Sequence, residues 1–220
     1  MPGRRDLLKG LGAGAGVAGL SLAGLAWRAG SAEHSLLYAT GETGPDVGAT
    51  LEPTLHCEGG ALTRAQTEGP FYTPKTPRRR DIRDVPHAGV ALVLRGRVLD
   101  TRCRPVGGAV LDFWQTGHDG RYDNHGYRYR GHQHADAAGR FELVTVRPHS
   151  YEALGAWRTP HIHVKVQGPK TRMLTTQLYL PDEREQNARD GIFHEALLVA
   201  LVKGDGQAQG ARFDFVLADA

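Results

Sequence analysis

His161 and His163 stand two residues apart in RTPHIHVKVQGP (158–169) and are followed at once by Val164-Lys165-Val166. Side chains at i and i+2 of a strand share a face, so both imidazoles look the same way. Two neutral imidazoles on one face make half of a transition-metal site; the same spacing also occurs in ordinary pairs of surface histidines. A second pair, His132 and His134 in RGHQHADAAG, shows how easily the pattern arises, and its turn-rich surroundings assign it to a solvated loop. Two phenols precede the first pair along the chain. Tyr122 lies in DFWQTGHDGRYDNHG, after a strand and a tight turn, and Tyr151 in TVRPHSY, just past the end of another strand. Arg158 comes three residues before His161, and Gln177 sits in LTTQLYLP. Singly, these four have plain readings: a turn aromatic, a packing residue at a strand end, a surface charge, and a sheet residue facing solvent. Trp114 and Trp157 read as core or rim aromatics.

The elements that must carry these residues are short and strand-like. VALVLRGRVLD (90–100), GAVLDFWQT (108–116), RFELVTVRP (140–148), HIHVKVQGP (161–169), LTTQLYLP (174–181) and RFDFVLAD (212–219) are β-branched or aromatic runs. Turn signals such as HDG, AAG and KGDGQAQG separate them. NARDGIFHEALLVALV (187–202) suggests a short helical or irregular piece. The pattern predicts an all-β fold, an antiparallel β-sandwich of the immunoglobulin-like or transthyretin-like kind, with long loops and an N-terminal arm. A chain of 220 residues supports one such domain with a substantial core. There is no P-loop, dinucleotide fingerprint or serine-centred nucleophile elbow.

Charge excludes one class of partner. The chain holds 27 basic and 24 acidic residues, but Arg4, Arg5, Lys9, Arg28 and Asp6 lie in the first 32 positions, leaving 23 of each sign beyond them. The basic excess belongs to the N-terminus and to PRRRDIR (77–83), which reads as a solvated loop, so no nucleic-acid partner is expected. MPGRRDLLKGLGAGAGVAGLSLAGLAW has a basic start, an apolar Gly/Ala-rich run and small residues near AGSA (29–32), the layout of an export signal. RRDLLK resembles a twin-arginine signal, and the frequent glycines make the run weakly hydrophobic for a permanent anchor. The expectation is a signal over 1–32, a linker or extended arm over 33–66 and a folded domain over 67–220, exported to the periplasm or beyond, with no stable membrane partner after cleavage. Cys57 and Cys103 form an even pair, which an oxidising compartment would allow to close as one disulfide.

Taken together and in order, the pieces resemble a known family. EGPFY (68–72), the Ala109-Val110 to Trp114 strand, GRY (120–122), RG-x-Q-x-x-D-x-x-G from Arg130, RPHSY (147–151), RTPHIH (158–163) and TTQLY (175–179) are similar to the intradiol ring-cleavage dioxygenases. These are non-haem iron(III) enzymes acting on catechols. The resemblance implies one Fe(III) per chain held by Tyr122, Tyr151, His161 and His163, with Arg158 and Gln177 facing the substrate. It implies that Tyr151 is the ligand displaced when a catechol binds, and that Pro70 and Phe71 line the pocket. The substrates would be a small aromatic diol and dioxygen, the product a cis,cis-muconate-type diacid, and the assembly a homo-oligomer. Two phenolates suit Fe(III) by charge and hardness. Two other readings remain: a β-sandwich binding module that has lost the chemistry, and a zinc hydrolase built on the histidine pair, which has no matching carboxylate ligand and explains neither tyrosine. PHSYEALGAWR departs from the family pattern around the second tyrosine, which bears on the pocket mouth and on substrate identity.

Overall fold

The computed structural model describes Cys57 and residues 61–220, apart from 84, 85, 154, 205 and 207. The expected signal and most of the expected arm lie outside the described residues. Eleven strands follow in order: β1 (Ala91–Asp100), β2 (Val110–Gln115), β3 (Arg130–His134), β4 (Arg140–Val146), β5 (Tyr151–Ala153), β6 (Ala156–Arg158), β7 (His161–Gln167), β8 (Leu174–Tyr179), β9 (Ala200–Val202), β10 (Gln209–Arg212) and β11 (Phe215–Leu217). One helix, α1 (Arg184–Arg189), and a single 3-10 turn (Glu195–Leu197) fall between β8 and β9.

Two sheets form the body. One runs β3-β2-β7-β8, antiparallel throughout. In the other, β1 pairs antiparallel with β4 along one edge; its opposite edge takes β10 over Leu92–Arg95 and then β11 over Val98–Asp100, both parallel. The architecture is the expected sandwich with two parallel pairings added. β5 and β6 make a separate hairpin. β1 alternates as a strand facing a core should: Leu92, Leu94 and Val98 are fully buried, while Val93, Arg95 and Arg97 are half-buried. They join Leu143 of β4 and, from the other sheet, Leu111, Phe113, Ile162, Val164 and Val166 in one apolar cluster. Each such buried side chain contributes about 1.5–3 kcal/mol.

The run expected over 212–219 divides into β10 and β11 for a local reason. A Cβ at Gly96 would lie 1.7 Å from the Phe213 carbonyl oxygen, so only glycine lets the two backbones meet there. Phe213 N still donates to Arg95 O, but the next β1 amide, Arg97 N, donates to the Asp214 side chain at 2.8 Å instead of to a strand carbonyl. KGDGQAQG, read as a turn, contributes Gln209 and Gly210 to β10.

The described end of the arm crosses both sheets as a strap. Thr63 N donates to Val216 O at 3.0 Å, and Gln66 N donates to Thr175 O of β8 at 2.8 Å. Thr176 Oγ1 donates to Arg64 O. Upstream, Cys57 is joined by a disulfide to Cys103, which follows β1. The bridge closes a separation of 46 residues, and constraining the unfolded chain over such a loop is worth about 4 kcal/mol. Replacing both cysteines by serine should lower the unfolding free energy by roughly that amount in urea titrations. A loss under about 1 kcal/mol would show that the bridge does not anchor the fold.

Candidate metal centre

Register places the chemistry-bearing residues. Trp114 of β2 pairs with Arg130 of β3 on one side and His163 of β7 on the other, and His163 pairs with Gln177 of β8. Next along, His161 pairs with Tyr179. Directly opposed residues share a face, so these side chains form rows on the face away from Ile162, Val164 and Val166. That outer face is sealed as well: Arg130, Trp114, Gln177 and Tyr179 have no exposure, and His161 and His163 have 2% and 1%. The Trp114 indole lies flat on the His163 ring, centroids 4.7 Å apart with 8° between planes. Gly69, at φ +71°, brings the strap over the same ring; a Cβ there would stand 3.6 Å from His163 Cε1.

The two imidazoles converge. His161 Nδ1 donates to the Thr159 carbonyl at 2.6 Å, which leaves its Nε2 as a lone pair. His163 Nε2 lies 3.0 Å from that lone pair, while His163 Nδ1 is buried without a partner. Tyr122 Oη lies 3.5 Å from His161 Nε2. Tyr122 and Tyr151 lie side by side, their rings meeting edge-on at 5.3 Å. Tyr151, first in β5, pairs across the hairpin with Arg158, last in β6. Arg158 donates through Nη2 to Gln177 Oε1. Gln177 Nε2 donates to Thr67 O of the strap at 2.9 Å. Phe71 stacks on Tyr122 with centroids 4.6 Å apart and meets Tyr151 at 6.0 Å. Pro70 is exposed, and the inward contacts come from Gly69 and Phe71 on either side of it.

Burial controls the charges. It pushes the Tyr122 hydroxyl well above the usual phenol range, helped by Tyr151 and opposed by Arg158 and Arg130. Tyr151 is raised by burial too, against the hydrogen bond from Tyr122 and the Arg158 charge. Burial lowers His161 to about 3, with Arg158 adding to the effect, and lowers His163 well below the histidine range. Metal-free, the four donors are therefore neutral beside two guanidiniums. A metal cation is tolerated only if the phenols ionise as it enters. Phenolates with neutral imidazoles form a hard, anionic set suited to a high-charge ion such as Fe(III). The converging Nε2 atoms and the fixed His161 tautomer fit such an ion. Among the described residues no three His, Cys, Asp or Glu side chains cluster, so a metal held here requires the phenols.

Several residues at the site have roles that the sequence does not assign, although Arg130 and Tyr179 lie inside the motifs quoted above. Arg130 is fully buried, donates to Phe71 O at 2.6 Å and Asp123 O at 2.9 Å, and lies 5.8 Å from the Tyr122 ring centroid, bracing strap and tyrosine loop together. Tyr179 donates to Gln66 Oε1 at 2.7 Å, its oxygen also lying 3.2 Å from Gln177 Oε1. Asp190 and Asn187, at the end of α1, hold Arg158 and Thr159. His132 and His134 are strand residues of β3, contrary to the loop assigned to them. Polar composition hid that strand: its backbone pairs with β2, while His132 Nδ1 donates to Thr76 O at 2.8 Å. The inserted-looking stretch after Tyr151 is the β5–β6 hairpin. Trp157 packs under Arg189 at 4.9 Å. A cavity of about 370 Å³ lined by Arg64, Gln66, Thr67, Ile192 and His194 contains none of the four donors and touches the site through Gln66 and Thr67.

The histidines give a pH signature. Both rings titrate near 6.5 when unfolded and far lower when folded. Between about pH 6.5 and 3 the unfolded chain binds more protons, so stability falls as pH drops through that window, by up to about 1.4 kcal/mol per pH unit for each ring. Urea midpoints of metal-free protein should decline from pH 7 to pH 4, and less steeply in His163→Gln; equal slopes would contradict this assignment.

The comparisons with known proteins agree with the geometry. A family model described as Dioxygenase matches residues 67–219. Chlorocatechol 1,2-dioxygenase of Pseudomonas sp. (strain P51) is 29% identical over 219 residues, covering 87% of this chain and 86% of that protein. The dioxygenase domain of a dioxygenase–carbohydrate-binding protein fusion from Streptomyces sp. SirexAA-E is 42% identical with a TM-score of 0.66, covering 72% of this chain and 99% of that one. The 3-chlorocatechol 1,2-dioxygenase of Rhodococcus opacus 1CP is 26% identical with a TM-score of 0.67, over 72% of this chain and 73% of that one. The chain belongs to the intradiol ring-cleavage dioxygenase family.

Proposed function

We propose that the chain is a non-haem iron(III) dioxygenase that splits a catechol-type diol between its two hydroxyl-bearing carbons, giving a cis,cis-muconate-type diacid. The observation that carries this is the pair of Nε2 atoms 3.0 Å apart beside two phenols, Tyr122 and Tyr151, whose rings meet edge-on at 5.3 Å. Tyr122, Tyr151, His161 and His163 would hold one Fe(III) per chain. Bound iron would act as a Lewis acid, stabilising the diol as its dianion and making the ring reactive toward dioxygen.

The protein's own groups supply the rest. Tyr151, as phenolate, takes one substrate proton at its oxygen; Arg158, which pairs with Tyr151 across the hairpin, is placed to donate to the anionic substrate that succeeds it. Gln177, braced by Thr67, orients the diol. Phe71 walls the site with Tyr122 and restricts water, with Pro70 at the rim. Tyr122 stays in place, clamped between Phe71 and Arg130. Two of the relatives named above are chlorocatechol dioxygenases, and a benzene ortho-diol is the substrate class proposed here.

Export by the twin-arginine route to an oxidising compartment belongs to the same proposal, supported by RRDLLK and by the Cys57–Cys103 disulfide. Assembly as a homo-oligomer is the remaining part.

Iron-loaded protein should be coloured by tyrosinate-to-iron charge transfer, contain about one iron per chain, and consume one dioxygen per diol across a panel of catechol, chlorocatechols and hydroxyquinol. Colourless protein at full iron occupancy, or no oxygen uptake with any of these, would defeat the proposal. Loading should release protons and tighten with rising pH, since the phenols must ionise. Arg158→Gln should keep iron and colour but lose about 100-fold or more in kcat/KM.

A further inference from the structure

α1 ends against the turn that joins β6 to β7, and what it presents there is a carboxylate. The Asp190 side chain has no exposure, while Arg158 beside it retains 12%. A carboxylate so enclosed is tolerated only when its lone pairs are used. Asp190 Oδ2 accepts from Arg158 Nε and from Thr159 N, each at 3.0 Å, and Oδ1 accepts from Ile192 N at 3.1 Å. Asn187, three residues earlier and 4% exposed, adds a second grip: its Oδ1 accepts from Thr159 Oγ1 at 2.7 Å and its Nδ2 donates to Leu180 O at 2.9 Å.

Two parts of the site depend on this anchor. The first is the guanidinium. Held at Nε, Arg158 turns its Nη end to Gln177, beside the Tyr151 with which it pairs across the hairpin; without that tie, a long side chain with several rotatable bonds has many other places to point. The second is the Thr159 peptide, whose N–H is bound to Asp190 and whose carbonyl fixes the His161 tautomer. Charge is also required. An amide in place of the carboxylate would supply one acceptor oxygen and turn an NH2 toward Arg158 or Ile192 N, setting donor against donor.

We propose that Asp190 is a positioning residue: it holds the Arg158 guanidinium over the site, aimed at an anionic substrate, while Asn187 steadies the peptide between them. What Arg158 binds rests on the ring-cleavage proposal; where Arg158 points does not.

The test is a double-mutant cycle of Asp190→Asn and Arg158→Gln, with metal-free crystal structures of the single variants. In Asp190→Asn crystals, Arg158 should leave Gln177. With iron-loaded protein, Asp190→Asn should lower kcat/KM for catechol by about 10- to 100-fold, mostly through KM, and weaken catechol binding under argon to a similar degree, with iron content unchanged. In the Arg158→Gln background, the same substitution should change either quantity by no more than about threefold, because the group it acts through is gone. Should Asp190→Asn fail to fold, Asp190→Glu, which keeps the charge but moves it by one methylene, must displace Arg158 in the same way. The inference is overturned if Arg158 keeps its place in the crystals, or if the loss is equal in both backgrounds, which would mark a general effect on the fold. A wild-type protein that neither binds nor cleaves catechol would sink the ring-cleavage proposal alone, and the crystal position of Arg158 would still decide this one.

Discussion

At the end that carries His161 and His163 the β3-β2-β7-β8 sheet is buried on both faces, and the two faces are unlike. One packs Leu111, Phe113, Ile162, Val164 and Val166 into the sandwich core; the other encloses arginine, histidine, glutamine and tyrosine. Enclosing polar groups is costly unless each finds a partner. That demand accounts for the strap, whose Thr67 carbonyl and Gln66 amide receive Gln177 and Tyr179. It accounts for Arg130, which ties the strap to the loop carrying Tyr122. It also accounts for α1, which delivers Asn187 and Asp190 to the one turn that links the hairpin to β7.

The same enclosure sets the electrostatics. Deep burial keeps the imidazoles neutral and the phenols protonated, while Arg130 and Arg158 supply fixed positive charge on either side. A site of this kind repels a bare cation and accepts one only with phenol protons leaving, which selects for a high-charge metal and couples occupancy to pH. A buried arginine also needs an answer within the protein, and Asp190 gives it for Arg158. The charge that would meet an anionic substrate is thereby held in place before any substrate arrives.

The strands that were legible in the sequence are those whose burial follows a simple period. β1, β4 and the core face of β7 alternate apolar residues, and their limits fell within a residue or two of the expected runs. β3 was not legible, because RGHQH has no β-branched residue and exists as a strand only through pairing with β2 and hydrogen bonds from its side chains. The break between β10 and β11 depends on Gly96 meeting Phe213, a contact more than 100 positions apart. Asp190 was invisible for the same reason: nothing near it in the chain distinguishes it from a surface carboxylate.

By itself, the sequence determined the apolar alternation, the shared direction of His161 and His163, and the set of motifs that marks the family, since these depend on residues close together in the chain. Only the tertiary structure decided how the two phenols named by the resemblance reach the histidines, which peptide sets the His161 tautomer and which carboxylate aims Arg158. Those contacts join segments brought together by sheet register and strap, and the free energy of enclosing polar groups, which selects them, is defined only once the fold has closed over them.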